Sequence, residues 1–148
     1  MEKSARRCEA GEPLLVQRLD YPDRFFYIVP ISNRPKRAPI LVSVDARYGN
    51  YREAAFLPPN RSQLVATMTR KELVTKVADR RFQLEEPLGR LRVRPEALCL
   101  YPTLVWKPCR ESLSPFWPFH MFTIGDYRLY VRIDGAIFTR LHDDQRGI

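Results

Sequence analysis

Groups that bind metals or attack substrates are scarce in this chain, whose 148 residues include three cysteines and two histidines. Cys8, Cys99 and Cys109 form an odd set with no Cys-x-x-Cys pair, which argues against a disulfide framework and a structural zinc site. Glycine is sparse too. There is no glycine-rich phosphate loop, no Gly-x-Ser-x-Gly elbow and no His-Glu-x-x-His motif. Glu85-Glu86 and the scattered aspartates show no paired-carboxylate arrangement of the kind glycoside hydrolysis uses. His142-Asp143-Asp144 contains ligand types, but near the chain end it reads as a solvated tail. Neither metal nor cofactor is therefore expected. No apolar run approaches the roughly 18 residues of a membrane span, and Met1 to Cys8 lack a signal-peptide core. The expectation is a protein of the reducing cytoplasm with no membrane partner.

What is present is ordinary globular material with a bias. Apolar residues make up 45% and charged residues 28%, whereas 13 prolines are nearly double the usual share of about 5%. Proline at that level favours many short elements over long helices. Lys and Arg number 25 against 17 Asp and Glu, a net charge of +8 that raises the chance of an anionic partner.

A pattern recurs: an aromatic strand, an alternating strand ending in Asp, and a tight turn carrying Gly. The first copy has Phe25 to Pro30, Ile40 to Asp45 and Gly49; the second has Phe116 to Phe122, Leu129 to Asp134 and Gly135. In the first, Ile40, Val42 and Val44 alternate with Leu41, Ser43 and Asp45, the period of a strand with one face inward. Aligning Asp134 with Asp45 superposes Ile133, Val131 and Leu129 on Val44, Val42 and Ile40, so these are expected to point inward in both copies. Thr69-Arg70-Lys71-Glu72 has the form of a capping box, and Leu73, Val74, Val77, Ala78 and Phe82 then form one stripe of a helix.

These signals predict an α+β fold: an antiparallel sheet, or two related β-rich halves, packed with one principal helix near residues 70–82. Residues 1–12 read as a flexible arm, and 13–148 as a single compact domain with an internal repeat of 14–60 and 69–142. The segment Ile40 to Tyr51 resembles the closing hairpin of PepSY domains, where a strand ends in Val-Asp and a short turn supplies Gly. Tyr130 to Gly135 looks like a shortened version. The resemblance implies a small α+β module that binds or restrains a partner without catalysis. It carries over no functional residue, since Asp45, Gly49, Asp134 and Gly135 form turns. The chain departs from the family in having no signal peptide and no helix before the first unit.

The densest unusual stretch runs from Trp106 to His120. Cys109, Arg110 and His120 supply the residue types of an activated thiol, although a structural thiol and a hydrogen-bonded histidine account for them more simply. Trp106, Phe116, Trp117 and Phe119, set among prolines, offer rigid area for a protein or peptide partner, or else serve as core aromatics on pleated strands. Arg90, Arg92 and Arg94 alternate along one segment, and Arg128, Tyr130 and Arg132 lie on the outward parity of another. Such groups grip phosphates and stack on bases, but basic strands also discourage aggregation. The leading expectation is a non-enzymatic binding or regulatory module that engages a protein or peptide through the aromatic-proline loop or a sheet face. Nucleic-acid binding through the arginine-bearing strands is the alternative, and a Cys109/His120 enzyme the third reading.

Overall fold

Runs of β-branched and aromatic residues broken by turn formers decide the architecture, because they favour pleated strands over helix. A computed structural model describes residues 9–32, 40–56, 70–77, 81–83, 90–92 and 103–144. The chain divides into two compact units, Met1–Ala66 and Thr67–Ile148.

In the first unit β2 (Leu14–Arg18), β3 (Phe25–Ser32), β4 (Ile40–Asp45) and β5 (Tyr51–Phe56) pair antiparallel in sequence order. β1 (Glu9–Ala10) pairs with the far end of β3, so residues 9 and 10 of the expected arm belong to the ladder. Gly11 then passes close to β3: its N–H donates to the Pro30 carbonyl at 2.7 Å, and a Cβ there would lie 3.0 Å from Pro30 Cγ. Asp23 closes the β2–β3 turn at φ 62°, a conformation Asp tolerates better than most residues. Gly49 supplies φ 71° in the β4–β5 turn, and its N–H donates to the Asp45 carbonyl at 2.9 Å.

Directly opposed residues of an antiparallel pair share a face. The registers place Val16, Phe26, Ile28, Pro30, Leu41 and Ser43 on one face, and all six are buried. The opposite face carries Leu15, Phe25, Tyr27, Val29, Ile40, Val42, Val44, Ala54 and Phe56, none of them buried. The expectation that Ile40, Val42 and Val44 point inward is thus reversed, because both parities of β4 carry aliphatic residues and its buried pair is Leu41 and Ser43.

In the second unit β8 (Thr103–Trp106), β9 (Phe119–Ile124), β10 (Tyr127–Arg132) and β11 (Ile137–Phe138) form an antiparallel series. Leu73 and Val77 of α1 (Arg70–Val77) pack against Phe122, Leu129 and Val131, with Val74, Ile124 and Ile137 at the margin. Phe119, on the other parity, meets the rings of Tyr130 and Phe138 edge-on at 6.1 and 6.0 Å. Gly135 turns β10 into β11 at φ 97°, with its N–H donating to the Arg132 carbonyl at 2.7 Å.

The α+β expectation is overturned: the described residues are nearly all β, with one helix of eight residues. The apolar stripe expected to run to Phe82 stops at Val77, and β6 (Arg81–Gln83) pairs instead with β7 (Arg90–Arg92). A helix that includes the β-branched Val74, Thr75 and Val77 is stiff at χ1 and weak in propensity, and so short a helix depends on the contacts of Leu73 and Val77. The capping residue Thr69 lies outside the described residues. No described helix is long and apolar enough to cross a membrane.

The two faces make a direct prediction for stability. Truncating Phe122→Ala in the second-unit core should cost about 3–5 kcal/mol, whereas Phe56→Ala, at a side chain 79% exposed, should stay within about 0.5 kcal/mol. Urea melts followed by circular dichroism measure both; equal losses would contradict the burial assignment.

Candidate binding surface

Hairpin connectivity puts the β2–β3 and β4–β5 turns at the same end of the first-unit sheet, since Phe26 lies opposite Asp45 and the Ala46 N–H donates to the Phe25 carbonyl at 3.2 Å. A groove of about 700 Å³ opens there, lined by Arg24, Phe25, Arg47, Tyr48, Tyr51 and Arg52, with Asp23 and Asp45 at its floor turns. Arg52 is placed by a bulge: Ser43 opposes Glu53 and Val44 opposes Tyr51, so Arg52 is the extra residue. Bulges of this kind re-aim a side chain. Tyr48 and Tyr51 are 70% and 67% exposed.

The three guanidinium groups differ in what holds them. Arg24 lies over the Tyr21 ring and Arg47 over the Tyr48 ring, each at 5.1 Å. Neither has a carboxylate partner among the described residues. Arg52 stands 3.9 Å from Asp45, whose other carboxylate oxygen accepts the Tyr48 N–H at 2.8 Å. Arg18 contrasts with all three, because Asp20 takes its fork through bonds of 2.9 and 2.6 Å.

Phe25 and Tyr51 belong both to the groove and to the unburied sheet face, so the two are continuous. None of Arg24, Arg47, Tyr48 and Tyr51 is among the candidate site residues that the sequence offers. The available signal was the concentration of Arg and Tyr around both turns, from Arg18 to Arg24 and from Arg47 to Arg52.

The residues singled out in the second unit fare differently. Trp106, Phe116 and Phe119 are buried, so these three fill the core in place of the expected partner-binding loop; Trp117 stays half-buried, 6.0 Å from the Arg132 guanidinium. The reason is that β9 is covered on both parities at its start, with His120 buried beside Phe119. Tyr130 is buried as well, which corrects its outward placement between Arg128 and Arg132. Arg128 is exposed. Arg132 is committed internally: its Nε and Nη2 donate to Asp134 at 2.8 and 2.7 Å, and its Nη1 to the Glu111 carbonyl at 2.5 Å. Arg90 and Arg92 form the ends of β7, and Arg94 lies outside the described residues.

Cys109 and His120 are not joined by a hydrogen bond. The Cys109 thiol is buried, donates to the Ser112 carbonyl at 3.7 Å, and is pushed up by burial, the reverse of what a thiolate nucleophile needs. Its loop is clasped by the segment read as a solvated tail. Glu111 accepts the His142 backbone N–H at 2.9 Å and pairs with His142 Nδ1 at 2.5 Å, while Lys107 donates to Asp143 at 2.9 Å. Among the described residues no three metal-ligating side chains are gathered.

Fold and surface together define a two-unit protein, nearly all β among the described residues, with an apolar sheet face that is only partly buried and a basic, tyrosine-lined groove at one end of it. Comparison with family models, with curated proteins and with solved structures finds no match.

Two predictions concern the buried groups. His120 is 4% exposed, its Nε2 has no hydrogen-bond partner, and burial pushes its pKa from 6.5 down to about 4. Below pH 6.5 the unfolded chain takes up a proton there that the folded protein refuses until about pH 4, so stability falls across that window. The loss is roughly 3 kcal/mol, and His120→Gln should remove it from the difference between the two pH profiles of unfolding free energy. Parallel profiles would contradict it. With Cys8 and Cys99 replaced by serine, Cys109 should react with a disulfide reagent only as the protein unfolds; rapid labelling of the folded protein would restore the thiol-enzyme reading.

Proposed function

We propose that the protein is a non-enzymatic binding module that engages a protein or peptide partner through the open face of the first-unit sheet. The observation that carries this reading is the apolar face of β2–β5 opposite the buried one: Leu15, Phe25, Tyr27, Val29, Val42, Val44 and Phe56 lie on it and none of them is fully buried. A contiguous apolar patch of this kind on a folded chain marks an interaction surface, because leaving it in water forgoes about 25 cal/mol for each Å² a partner would cover. Leu15, Val29, Val42 and Val44 suit a polypeptide, whereas Phe25, Tyr27 and Phe56 on the same face serve peptide side chains and stacked bases alike, which is why nuclease is part of the test. The partner segment is apolar along the face and acidic at the groove end, matching Arg24, Arg47 and Arg52. A binding role is also what the PepSY-like hairpin implies. We place the protein in the reducing cytoplasm on its thiol usage, Cys109 being a free, buried cysteine.

The test is recovery of a partner by the tagged protein from its own cells, with nuclease present, beside a Leu15→Asp/Phe56→Asp variant and a Trp117→Ala variant. Leu15 and Phe56 are 47% and 79% exposed, so their replacement should leave the thermal melt in place. Recovery should fall tenfold or more in the double variant, since desolvating two large apolar side chains is worth about 1.5–3 kcal/mol each. It should persist in Trp117→Ala. Equal recovery by all three proteins, or loss of all bound material to nuclease, would overturn the reading.

A further inference from the structure

We infer that the groove between the β2–β3 and β4–β5 turns is a carboxylate-binding subsite that reads acidic residues of the partner segment. The inference rests on the open-face reading and adds the chemistry that decides which segment is accepted. Arg24 and Arg47 each lie 5.1 Å from the centre of a tyrosine ring, Tyr21 taking Arg18 as well at 5.0 Å, and neither Arg24 nor Arg47 has a carboxylate partner among the described residues. A cation–ring contact consumes no N–H donor, and a guanidinium whose donors are unused grips a carboxylate by two parallel bonds.

Arg52 adds a third cation, brought to the groove by the bulge. The native acids there are otherwise engaged or outnumbered. Asp45 caps its own turn through the Tyr48 N–H and stands 3.9 Å from Arg52, leaving Asp23 against three guanidinium groups. Where this chain does intend an internal pair it builds one, as Arg18 with Asp20 and Arg132 with Asp134 show at 2.6 and 2.7 Å. Arg24 and Arg47 are therefore held in place by rings with their donors left over.

The groove joins the apolar face at Phe25 and Tyr51, so a chain lying across Tyr27, Val29 and Val42 reaches the arginines with its end. Carboxylate side chains beyond an apolar stretch complete the match. A phosphodiester chain meets the arginines equally well, and its bases find Phe25, Tyr27 and Phe56 as well as Leu15, Val29, Val42 and Val44, so oligothymidine is titrated beside the peptides.

The experiment selects a random-peptide phage library on the immobilised full chain, on an Arg24→Gln/Arg47→Gln/Arg52→Gln variant and on the Leu15→Asp/Phe56→Asp variant, with labelled oligothymidine titrated in parallel. The wild type should enrich apolar peptides carrying Asp or Glu at one end. The glutamine variant should keep apolar peptides but lose the acidic preference, and a synthetic selected peptide should bind it about tenfold or more weakly. Apolar peptides enriched without acidic residues would overturn the carboxylate subsite and leave the face reading standing. Enrichment lost in neither variant, or none at all, would overturn both. Oligothymidine binding abolished by the glutamine substitutions, without acidic peptides, would reassign the groove to nucleic acid.

Discussion

The antiparallel pleat is the constraint on which the rest of this protein depends. It gives every strand two faces and forces neighbours to share them, so one covering element settles the fate of a whole face. In the second unit both parities are occupied: α1 covers Phe122, Leu129 and Val131, while Phe119 meets Tyr130 and Phe138 on the other side. In the first unit only the Val16, Phe26, Ile28 and Leu41 side is buried. The same ladder that organises a closed core in one half therefore leaves an apolar face only partly buried in the other.

Connectivity then adds chemistry to that plane. A meander alternates its turns between two ends of the sheet, and it brings 19–24 and 46–50 to one end. Each turn solves its own backbone problem with a residue tolerant of positive φ, Asp23 in one and Gly49 in the other. The arginines flanking these residues arrive together as a result of strand order, not of proximity in sequence. The bulge at Arg52 supplies the last piece, since a regular strand would have kept that side chain in the period-two alternation.

Much of the strand layout was legible in the sequence, because period-two patterning and turn residues act over a few residues. Ile40 to Asp45 is a strand with the bounds read from the sequence, and Gly49 and Gly135 occupy positive φ as their turns require. Three things were not legible for one reason: each depends on what lies across the sheet. The buried parity of β4 could not be chosen from alternation alone. Tyr130 was placed outward by counting, although covering the second face buries it. The stripe from Leu73 to Phe82 fits a helix, yet pairing with β7 takes Phe82 into a strand. The groove was hidden by the same distance, for nothing local ties Arg24 to Arg47.

Arginine shows most clearly how burial and exposure divide the roles of one residue type. Arg132 has its fork closed by Asp134, its remaining group donated to the Glu111 carbonyl, and its plane near Trp117 and Phe138 at 6.0 and 5.5 Å. The pair moves both partners away from neutrality: the hydrogen bond to Asp134 raises Arg132 and lowers Asp134 below the usual carboxylate range. Such a group is a fastener, with three of its five N–H donors bonded within the unit. Arg24 and Arg47 keep the ring contact and lack the acid, so their hydrogen-bonding capacity is turned to solvent. Water satisfies those donors at little cost while the site is empty, and a carboxylate replaces it with a charge-assisted pair that water cannot match in a desolvated groove. A surface built this way discriminates only when the apolar face beside it is also covered, since covering that face excludes the water that would weaken the pair. In the proposed complex, affinity would come from the apolar face and selectivity from the arginines that have no internal carboxylate partner.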